Sequence, residues 1–232
     1  MIVSINQPAY LPWLGYFHRI AVSDLHIVLD HVQFEKNSFC NRNKVRTKDG
    51  AAWLTVPLAT KGRFGDLAIH TLEFAPHDSW QKKHWNTLRM NYAKAPCFAS
   101  MAPAYERLYS QSWPSFMPML RAFLEQHLRH LGMTTPLRYS SEMNVTGTKS
   151  DLVLNLCREV NADTYLSGAL GRDYLDEASF ARSGIEVRYQ DYAHPTYAQC
   201  HPEFVPCLGV LDLLFNHGTA SRDILLHQPC QS

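Results

Sequence analysis

The first thirty residues read strand, helix, strand, and that order limits the fold more than any other feature of the chain. "MIVSIN" is a short apolar run of the length of a buried strand. "WLGYFHRIAVS" has apolar residues at Trp13, Leu14, Phe17, Ile20 and Ala21, which form one stripe of a helix. "LHIVLD" is a second apolar strand and ends on Asp30. A helix between two strands carries the chain back to the starting edge, so the strands run parallel with a right-handed crossover. The expected fold class is therefore α/β, with a Rossmann-like, mostly parallel sheet and flanking helices.

The same alternation returns late in the chain. "TGTKSDLVLNLCREVNA" is an amphipathic helix with Leu152, Leu156 and Val160 inward, followed by "TYLSG" as a strand. "RDYLDEASFARSG" reads as a helix closed by Gly184, and "IEVRYQ" as a strand. "VPCLGVLDLLFNHG" reads as a helix with a glycine stop, and "SRDILLHQ" as a short helix capped by Ser221. Two segments interrupt this pattern. "KVRTK", a "DG" turn and "AAWLTVPL" make a β-hairpin extension, with Lys44, Arg46 and Lys48 on one face. "LAIHTLEF" is a third extended piece, after the glycine-rich "KGRFGD". From about 78–133 the chain turns helical, opening on Asp78 as a cap, with further helices near 103–110 and 115–131. This block is read as a helical insertion or subdomain of a single domain over residues 1–232.

Composition excludes several classes of function. The net charge is +1, without the basic excess of a dedicated nucleic-acid binder. The longest apolar run, "VPCLGVLDLLF", carries an Asp and is shorter than a membrane span. No leader is read at the start, so a cytoplasmic protein with reduced thiols is expected. The six cysteines form no CxxC, and the histidines form no HExxH arrangement. No metal or dinucleotide motif is present, and no cofactor is named. The oligomeric state is left open.

In open parallel sheets the ligand sits beyond the carboxyl ends of the strands. Four loops fall there: "QPAYLPW", the segment from Asp30 to Gln33, "ALGRD", and "DYAHPTYAQ". Pro8 and Pro12 stiffen the first, which would preorganise Gln7 and Tyr10, with Trp13 close by. The alternative for Tyr10 and Trp13 is core filling. In "FEKNSFCNRNKVRTK", Arg42 lies between Asn41 and Asn43, a grip suited to a phosphate or carboxylate. A solvated basic face is the alternative for Lys44, Arg46 and Lys48. His194 is a candidate general base, with Tyr197 and Gln199 nearby and Asp30 to orient it. Cys40 adjoins the basic stretch, where a thiolate would be stabilised, but a passive thiol is the preferred reading.

Together "QPAYLPWLGYF", "SDLHIVLDHVQFEKNSFCNRNKVRT", "WLTVP", "YLSGALGRDYLD" and "HPTYAQCHPEFVPCLGVLDLLFNHG" resemble the WbqC-like family. The resemblance implies a setting in bacterial surface-polysaccharide (O-antigen) gene clusters and a role on a sugar or amino-sugar intermediate. It marks Gln7, Pro8, Tyr10, Pro12, Trp13, Gly15, Asp30, Gln33, Asn41, Arg42, Asn43, Ser167, Gly168 and Tyr174. It also marks His194, Pro195, Tyr197, Gln199, Asp212 and Asn216. The substrate-binding set expected is Gln7, Tyr10, Trp13, Gln33, Asn41, Arg42, Asn43, Gly168, Arg172, Tyr174, Tyr197 and Gln199, with His194 and Asp30 catalytic.

The implied partner is a small anionic substrate, a nucleotide-linked sugar or a phosphorylated acyl donor. The reaction expected is transfer of an acyl or aminoacyl group to an amino sugar. Nucleotidyl transfer ranks below it, because "PAYLPWLG" stands where HxGH would be needed. A non-catalytic binding module for a sugar nucleotide or a carrier is the alternative from another class.

Overall fold

β1 (Ile2–Asn6) is a strand because its alternate side chains meet two different covers. Val3 and Ile5 enter a cluster with Leu152, Leu156 and Phe180 on one side. Ser4 turns to the other side, where its hydroxyl meets His26 Nδ1 at 2.8 Å, beneath helix α1 (Leu14–Ala21). β2 (Leu25–Val28) pairs parallel to β1, which completes the strand–helix–strand unit. This computed structural model describes residues 1–63, 65, 67–76 and 79–227.

Five strands form one sheet, in the order β5 (Leu137–Tyr139), β2, β1, β6 (Thr164–Ser167) and β7 (Glu186–Tyr189). All four pairings are parallel. In chain order the sheet runs 3-2-1-4-5, so the direction of winding reverses between β1 and β6, the switch point of a Rossmann-like sheet. α5 (Lys149–Glu159) and α6 (Glu177–Arg182) cover one face. On the other face lie α1 and the helical block of α2 (Trp80–Tyr92), α3 (Phe98–Ser110) and α4 (Phe116–His130). α7 (Leu211–His217) and α8 (Ser221–Leu226) complete that layer, and one apolar cluster joins Phe17, Tyr105, Phe123 and Phe215 across it. β3 (Arg42–Thr47) and β4 (Gly50–Thr55) form the separate antiparallel hairpin.

Several sequence expectations change. "LAIHTLEF" is not a strand: Ile69–Thr71 is a 3-10 turn, and only the isolated bridges Gln33 to Ala68 and Leu58 to Phe74 are extended pairings. The apolar alternation there serves burial of Leu67, Ile69 and Leu72, not a ladder. "RDYLDEASFARSG" breaks into a 3-10 turn, Ala169–Asp173, and α6, because the Asp176 carboxylate caps Ser179 N–H and starts a new helix. α7 begins only at Leu211, since Gly209 must lie against the Leu11 carbonyl. A Cβ at Gly209 would come within 2.7 Å of that oxygen. Ser221 is the first residue of α8, not its cap, and its hydroxyl donates to the Leu213 carbonyl. α3 starts at Phe98, which leaves Pro103 in its second turn. β5 is too short to show a period. The expected cap Asp78 and the end of "SRDILLHQ" lie outside the described residues.

Arg46 does not share a solvated face with Lys44. It is buried, and its guanidinium donates to the carbonyls of Thr47, Gly50, Pro202 and Glu203. Four backbone acceptors replace water around the cation, so the strand end is clamped to the C-terminal segment.

Candidate functional site at the carboxyl rim of the sheet

Leu29 and Asp30 follow directly after β2, and Asp30 is fully buried. One carboxylate oxygen accepts from Ser140 Oγ at 3.1 Å and from Ser141 N–H at 2.8 Å. The other accepts from Ser141 Oγ at 2.7 Å, with Arg121 Nη2 at 3.8 Å. Arg121 also pairs with Glu142 and stacks over Tyr139. Asp30 thus anchors the end of β5, and His194 is not among its partners.

The histidine coupled to Asp30 is His31. Its Nδ1 lies 2.6 Å from Ser140 Oγ. Ser140 has one hydroxyl proton, and giving it to Asp30 leaves the oxygen to accept from Asp30 N–H and from His31 Nδ1–H. That order fixes the proton of neutral His31 on Nδ1 and leaves a lone pair on Nε2. Burial lowers the His31 pKa first of all, Asp30 opposes this, and His70 adds to it. The ring is half-buried, and Nε2 has no hydrogen bond among the described residues. Sequence reading puts His31 in the rim loop but gives it no role, because Ser140, the link, is more than a hundred residues away.

From His31 the chain runs three residues to Phe34, a span of at most about 10 Å. Phe34 forms one wall of a cleft of about 250 Å³ that Lys36, Asn37, Asn41 and Arg42 line from the hairpin side. No carboxylate is among the described residues that line it. Arg42 donates to the Asn37 carbonyl at 2.6 Å, lies over the Trp53 ring, and keeps a buried Nε without a partner among the described residues. Asn41 uses its amide on the Val56 carbonyl. Asn43 differs from the expectation: it is fully buried, donates to the Leu11 carbonyl and accepts from Lys44 N–H, so it holds the first loop to β3. Gln33 is exposed and brackets the same segment, accepting from Leu67 N–H.

At the centre of the rim Gln7 is exposed directly after β1. Gly168 follows β6, Arg172 stacks over Tyr189 at 3.9 Å, and Tyr174 is exposed. Strands lie about 4.8 Å apart, so the ends of β2 and β6, on either side of β1, are separated by roughly 10 Å. Tyr10 is not on this rim. It is wholly buried, and its hydroxyl bridges His84 and Tyr109. Trp13 lies across the first turn of α1, where a Cβ on Gly15 would come within 2.3 Å of the indole, and it meets Tyr192 edge-on. Cys40 is buried and its thiol is pushed up to about 12 by burial, so no thiolate is stabilised there.

His194, Tyr197 and Gln199 gather around Asp212. Burial raises the Asp212 pKa; hydrogen bonds from Tyr92, Tyr197 and Gln199 oppose this, at 2.9, 3.0 and 2.8 Å. His194 lies beside Tyr197, with Nδ1 on the Pro195 carbonyl and Nε2 accepting from Cys207 N–H. Both ring nitrogens are engaged by backbone groups, and neither meets Asp30. Asp212→Ala leaves two buried hydroxyls, of Tyr92 and Tyr197, and the half-buried Gln199 amide without this acceptor, a cost of about 3–5 kcal/mol. Thermal circular dichroism is expected to show a Tm roughly 10 °C lower. A melt within about 2 °C of wild type contradicts this role.

No group of three or more His, Cys, Asp or Glu side chains among the described residues is placed to hold a metal ion. No helix among them is long and apolar enough to cross a membrane. The fold and rim define an α/β protein with a parallel Rossmann-like sheet and a basic cleft beside its carboxyl edge.

The chain belongs to the WbqC-like protein family, whose model matches residues 7–224. It is 36% identical over 225 residues to "Uncharacterized protein Rv1507c" of Mycobacterium tuberculosis, covering 96% of each chain. No solved structure matches it.

Proposed function

We propose that this protein is a cytoplasmic transferase that moves an acyl or aminoacyl group onto the amine of a nucleotide-linked amino sugar during surface-polysaccharide synthesis. The observation that carries this reading is the course of one segment. Residues 30–42 hold an oriented histidine at the sheet rim and, a few residues on, the basic wall of a cleft sized for a sugar phosphate. The polysaccharide setting comes from the family resemblance.

Arg42 and Lys36 hold the diphosphate, with Asn41 and Asn37 beside them. The sugar reaches back toward His31. The amine nitrogen attacks the acyl carbonyl carbon, a C–N bond forms, and the bond to the donor's leaving group breaks. His31 Nε2 takes the proton from the amine and returns it to the leaving group, while Ser140 and Asp30 hold the ring and stabilise its cation. Because burial lowers its pKa, His31 enters the reaction neutral at pH 7. Gln7, Gly168, Arg172 and Tyr174 line the far side of the rim, and Gln33 flanks the approach.

A binding module without chemistry is the second reading. It is favoured by the saturation of His194 and of both Asp30 oxygens by protein groups. Ligand binding is tested first. Nucleotide sugars, acyl-CoA and ATP are screened by thermal shift. A cognate ligand near a hundredfold excess over Kd adds about 2.7 kcal/mol, or roughly 5–10 °C. Arg42→Ala loses a charge-assisted contact and binds about 10- to 100-fold more weakly. No shift with any nucleotide sugar, or equal shifts in both proteins, counts against the cleft.

A further inference from the structure

Arg19 lies in the last turn of α1, and helical side chains lean toward the helix N-terminus. That lean carries the guanidinium to the switch point between β1 and β6. A Cβ placed on Gly168 would stand 2.6 Å from Arg19 Nη1. Glycine at 168 is therefore what leaves room for the cation.

The guanidinium has no carboxylate partner among the described residues. Its Nε is buried there without a hydrogen bond, and its electrostatic neighbours are the phenols of Tyr165, Tyr16 and Tyr174. Asn6 stands at the end of β1 on the same face. Ser4 is opposite Leu166 in the register, so two residues on Asn6 comes level with Gly168. Asn6 Nδ2 is also buried without a partner among the described residues. Two orphaned donors of this kind, both near Gly168 at the edge where parallel sheets bind ligands, cost stability unless an acceptor arrives.

The geometry points to a second oxyanion subsite at the β1–β6 switch point, in which Arg19 and Asn6 bind a phosphate or carboxylate group. It rests on the preceding reading only in making this anion part of a second substrate. One cationic anchor at Arg42 and another at Arg19 then hold donor and acceptor on either side of the rim, as a two-substrate transfer requires.

The test keeps the two anchors apart. Arg42→Ala, Arg42→Ala/Arg19→Met and Arg42→Ala/Arg19→Lys are melted with inorganic phosphate and, separately, with acetate. Methionine keeps the packed stem of Arg19, and lysine keeps its charge without the planar fork. Stabilisation by exclusion of the salt is common to all three and cancels in the comparison. Arg42→Ala alone is expected to rise by about 2–5 °C more than the Met double variant, with the Lys variant between them.

A rise with phosphate but not acetate identifies a phosphoryl ligand, the reverse identifies a carboxylate, and either supports the subsite. Equal rises in all three proteins overturn it. Should the Met variant not fold, a Lys variant that responds as fully as Arg42→Ala overturns it too. A failed screen at Arg42 leaves this result readable, because every protein here already lacks Arg42.

Discussion

Between pH 7 and about pH 4.5 the protein is expected to lose most of its stability, and the cause is three histidines buried neutral. His26 is held down to about 3 and His127 to about 3 by burial, then by Arg19 and His130 respectively. His84 is held down to about 4 by burial, with the Thr55 carbonyl opposing. Each uses Nδ1 on a hydroxyl, of Ser4, Tyr105 and Tyr10 respectively. In the unfolded chain these rings titrate near 6.5.

Folded values below the unfolded one mean that the unfolded state binds more protons. Stability is therefore present above about pH 6.5 and falls as pH drops toward the folded values. Each group contributes about 1.4 kcal/mol per pH unit, so three groups over two units give an upper figure of about 8 kcal/mol. That rivals the 5–15 kcal/mol that holds a typical domain together. Asp212 acts in the opposite sense, since its raised folded value makes the native state bind a proton more readily in acid. It is one group against three. Urea melts followed by circular dichroism at half-unit pH steps are the check, and stability that stays flat from pH 7 to 5 is the contrary outcome.

The architecture was largely legible in the sequence, and the reason is periodicity. Buried parallel strands and amphipathic helices leave local signatures, so β1, α1, β2, β6 and β7 and the hairpin fall where apolar spacing places them. β5 was not legible, because three residues carry no period, and the 3-10 turn at Ile69 mimics a strand in its burial.

The site was legible only in part, because polar roles depend on distant partners. Arg42 and Asn41 do line one cleft, and Gln7, Asp30 and Gly168 do follow adjacent parallel strands. Tyr10 and Asn43 are just as polar in the sequence, yet their groups close onto His84 and the Leu11 carbonyl inside the fold. His194 was singled out for its proline and aromatic neighbours, whereas His31 acquires its orientation from Ser140. Arg19 had a faint signal. It follows Tyr16 by three on the flank of the helical stripe, a charge at the edge of a face otherwise buried.

The decisive residue is His31, which carries the proton in the proposed transfer. Once a ligand pair is known, turnover of wild type and His31→Ala is measured by mass spectrometry under single-turnover conditions, with binding followed in parallel. His31→Ala is expected to keep its ligand-induced thermal shift while turnover falls by about 10²- to 10⁴-fold. In the wild type, activity is predicted to fall in acid, with a midpoint below the ordinary histidine value of about 6.5. Wild-type turnover by His31→Ala contradicts the account.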